Sequence, residues 1–170
     1  TTDSTTTSSS DVSVSVPAGD APYFTLGASA VNIFATGQEL GNRANVFSKI
    51  GDSITVAEEV FTPFGYGVFD LGGYDNLSPT IGFFSAQARN NNSWNNTSLA
   101  AGNGYTTRTV LSSEYANSSV CLSGESPLAC EYRLTQPAVA IILLGTNDAT
   151  NVPIDEFANN MRVIADYSIN

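Results

Sequence analysis

Residues 138–144, AVAIILL, form a continuous apolar run of strand length bounded by Pro137 and Gly145. Such a run has no polar alternation to face water, so it predicts a central parallel strand buried on both faces. A polar stretch, TNDATN, follows, and then VPIDEFANNMRVIADYSIN, in which Ile154, Phe157, Ala158, Met161, Ile164 and Ala165 recur at helical spacing. They predict one buried helix face. Pro153 suits a first helical position, and Asp155 and Glu156 stand where a helix dipole favours negative charge. The C-terminal part therefore reads strand, loop, helix.

An earlier stretch has the same grammar. Residues 45–50 (NVFSKI) are a plausible strand, Gly51-Asp52-Ser53 a tight turn, and residues 54–61 a short helix with Glu58 and Glu59 exposed. Two such units imply an α/β fold with parallel strands. In open parallel sheets the ligand site lies beyond the carboxyl ends of the strands, and the polar loops 51–53 and 145–148 both fall at that edge. Between the units, residues 62–95 are dense in glycine and aromatics and read as a long excursion with short helical pieces. Most of its rings are expected to pack on the sheet.

Length and composition bound the rest. A chain of 170 residues suits one domain, expected over residues 21–170, after a Ser/Thr-rich segment (1–20) too polar to offset its ordering entropy and read as a disordered linker. Six basic against 16 acidic side chains leave a net charge of −10, which repels phosphate backbones and anionic lipid surfaces. Nucleic-acid partners are thereby disfavoured, and no apolar run approaches the roughly 20 residues of a membrane span. Histidine is absent, which removes the commonest general base and metal ligand. Phosphate-loop, dinucleotide, zinc and calcium-loop signatures are also missing, so no metal or organic cofactor is expected.

Cys121 and Cys130 flank a short loop, and a disulfide there would contribute about 2.7 kcal/mol by the chain-entropy model. Together with a surface rich in Asn, Ser and Thr, the pair suggests a secreted or cell-surface protein. Asn-x-Ser/Thr sequons begin at Asn76, Asn91, Asn95, Asn96 and Asn117, as many would by composition alone.

Three stretches carry a family resemblance. GDSIT at 51–55 and GTND at 145–148 resemble the first and third blocks of the SGNH, or GDSL, hydrolases, and SLAAGNGYTTRTVL at 98–111 resembles the second. The resemblance covers about residues 45–170 and keeps the family's order. It implies a three-layer α/β/α sandwich with a flavodoxin-like parallel sheet. It further implies Ser53 as nucleophile of an ester hydrolase, with the backbone amides of Ser53 and Gly104 and the side-chain amide of Asn147 forming the oxyanion hole. The chemistry suits the residues. A hydroxyl at a strand-to-helix turn sits near free helix amides, a glycine lets backbone approach a substrate, and an Asn amide donates without titrating. Gly102, two positions before Gly104, is an alternative approach point. Asp52 and Asp148 read as turn-fixing acceptors rather than bases.

The family's fourth block, Asp-x-x-His, has no counterpart, because the sequence contains no histidine. Lys49 is no substitute: four residues of extended strand put it roughly 13 Å from Ser53. The expectation is that the fold is incomplete at its C-terminus and that the missing strands and the Asp/His block lie beyond Asn170. Small-molecule or carbohydrate esters are the expected substrates. The alternative is a non-catalytic extracellular domain that binds a glycan or other neutral ligand in the same cleft.

Overall fold

The computed structural model describes residues 27–170, so the reading of residues 1–20 as a linker lies outside the described residues. The architecture is mixed α/β. Helix α1 (Ala28–Glu39) leads into strand β1 (Arg43–Gly51), which is followed by α2 (Ser53–Val56) and α3 (Glu58–Tyr66). After α4 (Ser78–Phe83) come α5 (Thr107–Leu111), α6 (Pro127–Thr135), strand β2 (Pro137–Leu143), α7 (Asp148–Asn151) and α8 (Ile154–Ile169). The two strands pair in parallel, with Phe47 opposite Val139 and Gly51 opposite Leu143.

Alternate side chains of β1 point to opposite faces of the sheet. Phe47 packs its ring against Phe61 of α3, Phe84 and Trp94, so the aromatic excursion covers one face as expected. On the other face Ile50 joins Val110, Leu128 and Ile164, from α5, α6 and α8, in the apolar core. Ser48 bonds there to Glu131 and Thr135 of α6.

The edge of β1 away from β2 is also occupied. Ser93 Oγ accepts from Phe47 N at 3.2 Å, Gly51 N donates to Ala100 O at 3.1 Å, and Gly102 N donates to Gly51 O at 3.2 Å. The second stretch meets β1 through a single parallel bridge, Gly51 to Ala101.

Three expectations need correction. Strand β2, expected at the centre, has no fully buried residue; Val139 and Leu143 are 41% and 47% exposed, while β1 is buried from Val46 to Gly51. Apolar content says how a strand could be covered, and only the count of neighbours says whether it is. The helix expected over 54–61 is two helices, broken at Ala57, whose extended backbone (ψ 132°) ends α2 and caps α3. Of the stripe expected on α8, Ile164 is buried and Phe157, Ala158 and Met161 are half-buried, but Ala165 is exposed and Ile154 is 75% exposed. Pro153 is the non-helical residue before α8, with φ −57° and ψ 144°, so the helix opens at Ile154 before its apolar face reaches the core.

The disulfide between Cys121 and Cys130 is formed, with Cα atoms 5.3 Å apart. Among the described residues no helix is long and apolar enough to cross a membrane.

Candidate active site

The carboxyl ends of β1 and β2 lie side by side, and the polar loops leave from there. Asp52 is fully buried and caps α2: its Oδ1 accepts from Ile54 N at 2.9 Å, as expected of a turn-fixing carboxylate. Ser53 is thereby the first helical residue and is exposed. Gly51 is needed because a Cβ there would meet the Thr55 side chain and would lie 2.8 Å from the Leu143 carbonyl oxygen.

The second stretch is pinned to the first through the bonds of Gly51 with Ala100 and Gly102. Those bonds also separate the two candidate glycines. Gly102 spends its N–H on the Gly51 carbonyl and abuts the Tyr105 ring, so it has no donor to offer. Gly104 is exposed, and its N–H and that of Ser53 make no backbone hydrogen bond among the described residues. Gly104 has φ +76°, where a side chain is strained, yet nothing lies within 4 Å of a Cβ position. Glycine is required here by backbone conformation, and the space beside it is open.

The third stretch is tied to the second. Asn147 Nδ2 donates to the Tyr105 carbonyl at 3.0 Å, which uses one N–H of its amide and leaves the other. Asp148 is buried, and its Oδ1 accepts from Thr107 N at 2.9 Å and from Thr107 Oγ1 at 2.6 Å. It is therefore no local turn acceptor: it clamps its loop to the start of α5, 41 residues away in sequence. Thr107 Oγ1 in turn accepts from Asn160 of α8 at 3.1 Å. Ser53, Gly104 and Asn147 thus stand on three loops that hydrogen bonds knit together at one sheet edge.

Tyr105 and Thr107 escaped the sequence reading as site-building residues. Tyr105 could have been suspected from its place beside Gly104, whereas the bond of Thr107 to Asp148 has no local signal. Glu131 was missed too. It is fully buried on α6 and accepts from Ser48 Oγ at 2.9 Å, Asn96 Nδ2 at 3.3 Å and Leu99 N at 2.9 Å. Burial pushes its carboxyl above the ordinary range, against the pull of the Leu99 and Ser48 bonds and of the Arg89 and Lys49 charges.

The Lys49 ammonium is engaged elsewhere: its Nζ donates to the Trp94 carbonyl at 2.7 Å on the aromatic face of the sheet. The one acidic and thiol cluster among the described residues compact enough for a metal ion is Cys121, Glu125 and Cys130, whose sulfurs are bonded to each other and offer no thiolate. No family model, curated protein or solved structure matches the chain.

Proposed function

We propose that this chain carries the nucleophile and oxyanion donors of a secreted serine ester hydrolase of the SGNH type, built on a three-layer α/β/α sandwich. The carrying observation is the knitting of three loops at one sheet edge, with the Ser53 and Gly104 amides unspent and one Asn147 amide proton still available. Ser53 Oγ would attack the carbonyl carbon of an acyl or acetyl ester. The developing oxyanion would be met by those three donors, the alcohol would leave, and water would release the acid from the Ser53 ester. Helices on both faces of β1 support the sandwich, and the disulfide supports an oxidising compartment.

A serine hydroxyl is a weak nucleophile without a base, and these 170 residues contain no histidine. In this reading the Asp/His pair comes from outside them, and these residues alone are essentially inactive. A form extended past Asn170 to include an Asp-x-x-His segment should hydrolyse a short-chain nitrophenyl ester. Ser53→Ala should abolish that turnover, and Asn147→Ala should lower kcat about 10²–10³-fold. An extended form with no Ser53-dependent turnover would sink the proposal and favour ligand binding without catalysis.

A further inference from the structure

The Asn-x-Ser/Thr sequons at Asn76, Asn91, Asn95, Asn96 and Asn117 are alike in sequence, and the fold sorts them. Asn96 is 2% exposed; its Oδ1 accepts from Asn90 N at 3.2 Å and Arg89 N at 3.3 Å, and its Nδ2 donates to the buried Glu131. A sugar on that Nδ2 would need space that the packing fills. Both amide atoms of Asn95 are likewise buried, against the backbone at Gly65. Asn91 is half-buried, and Ser93 of its sequon is fully buried with its Oγ bonded to Phe47 N of β1. Asn76 lies in a single 3₁₀ turn, and Ser78 of its sequon opens α4.

Asn117 differs from all of these. It is exposed, as are Ser118 and Ser119, and it lies outside any helix or strand in the loop that leads to Cys121. Its Oδ1 accepts from Ser119 N at 3.0 Å, and its carbonyl accepts from Val120 N at 3.0 Å and Cys121 N at 2.8 Å. The turn is thus held by its own bonds, and the Cys121–Cys130 disulfide ties it to α6. Among the described residues neither Asn117 Nδ2 nor Ser119 Oγ makes a hydrogen bond. A free side-chain amide, a hydroxyl residue two positions on and a place on a surface loop are what an acceptor asparagine of a secreted protein requires. Tyr115, Val120 and Leu122 flank it as exposed apolar side chains, which a hydrophilic glycan beside them would screen from other molecules.

We propose that Asn117 is an N-glycosylation site and that Asn95 and Asn96 stay unmodified in the folded protein. The donor is an oligosaccharide carried on a polyprenyl pyrophosphate. Asn117 Nδ2 forms a bond to C1 of the first sugar and gives up one proton; the bond from C1 to the pyrophosphate oxygen breaks, and the polyprenyl pyrophosphate leaves with the electron pair. The inference rests on the secretory half of the proposed function and on none of its esterase chemistry.

A cleavable leader supplied ahead of residue 1 takes the chain into the secretory pathway of a eukaryotic cell, so entry to that compartment is given rather than tested. Peptide-N-glycosidase in H₂¹⁸O then turns each glycan-bearing Asn of the secreted protein into an ¹⁸O-marked Asp, which mass spectrometry of its peptides locates. The mark is expected at Asn117 and absent from Asn95 and Asn96. Ser119→Ala, an exposed change that keeps Asn117, should remove the Asn117 mark and lower the intact mass by one glycan at unchanged circular dichroism. No mark at Asn117, a mark there that survives Ser119→Ala, or a mark on Asn95 or Asn96 would overturn the proposal. Ester turnover of the extended form is read separately, so either reading can fail while the other stands.

Discussion

The two strands of the sheet contradict their own compositions. β1, RANVFSKIG, contains Arg, Asn, Ser and Lys, yet it is the buried strand; β2, PAVAIIL, is wholly apolar and among the described residues has no strand beyond it. The difference lies in neighbours. β1 has β2 along one edge, the 93–102 segment along the other, and helices on both faces. Apart from the exposed Asn45, its polar side chains find partners: Arg43 donates to the Thr135, Gln87 and Ala88 carbonyls, Ser48 meets Glu131 and Thr135, and Lys49 meets the Trp94 carbonyl. A polar strand can be central when its polar groups are hydrogen-bonded, and an apolar strand is central only when something covers it.

The sharpest test of that contrast is Glu131→Ala. It would leave Asn96 Nδ2 and Leu99 N without their carboxylate acceptor in the interior and should cost about 1–3 kcal/mol for each of these donors in urea unfolding. A loss below about 1 kcal/mol would mean that the buried polar groups of β1 do not depend on α6. Ile50→Ala comes next, at about 2–5 kcal/mol for a fully buried side chain, whereas Leu143→Ala, from a half-exposed one, should cost clearly less. Equal costs would erase the distinction between the strands.

Both strands, their approximate limits and the two loops at their carboxyl ends were legible in the sequence, because period and punctuation are local signals. Burial was not, since it depends on contacts across long separations: Ser93 to Phe47, Asp148 to Thr107, Glu131 to Ser48. The site shows the same division. Ser53, Gly104 and Asn147 are candidates on short motifs alone, but the reason Gly104 rather than Gly102 keeps a donor is the Gly102 bond to Gly51, which no motif records. Glu131, in a helix reading CEYRL, looks like any solvated acidic residue.

Titration separates the buried charges by sign. The folded state holds the Glu131 proton more tightly than the unfolded chain, so this group's contribution is full below the ordinary value of 4.5 and is lost as pH rises through the raised one. Lys49 runs the other way. Its pKa falls from 10.5 to about 8, so its contribution is full above 10.5 and is lost as pH falls through about 8. Stability measured by urea unfolding should therefore climb between pH 8 and 10.5, and Lys49→Met should flatten that climb. A climb that survives the substitution would assign it to other groups.

The smallest expected effect is the most diagnostic of the edge. Val139 faces Phe47 in register, yet it is 41% exposed, so exchanging one methyl for a hydroxyl in Val139→Thr should change stability by less than about 0.5 kcal/mol. The urea midpoint should hardly move and the slope should not change. In a covered strand the same hydroxyl would be desolvated without a partner and would cost about 1–3 kcal/mol. A loss of that size would mean that the far edge of β2 is covered in solution, and the contrast between the strands would then reduce to which of them has its neighbour within residues 27–170.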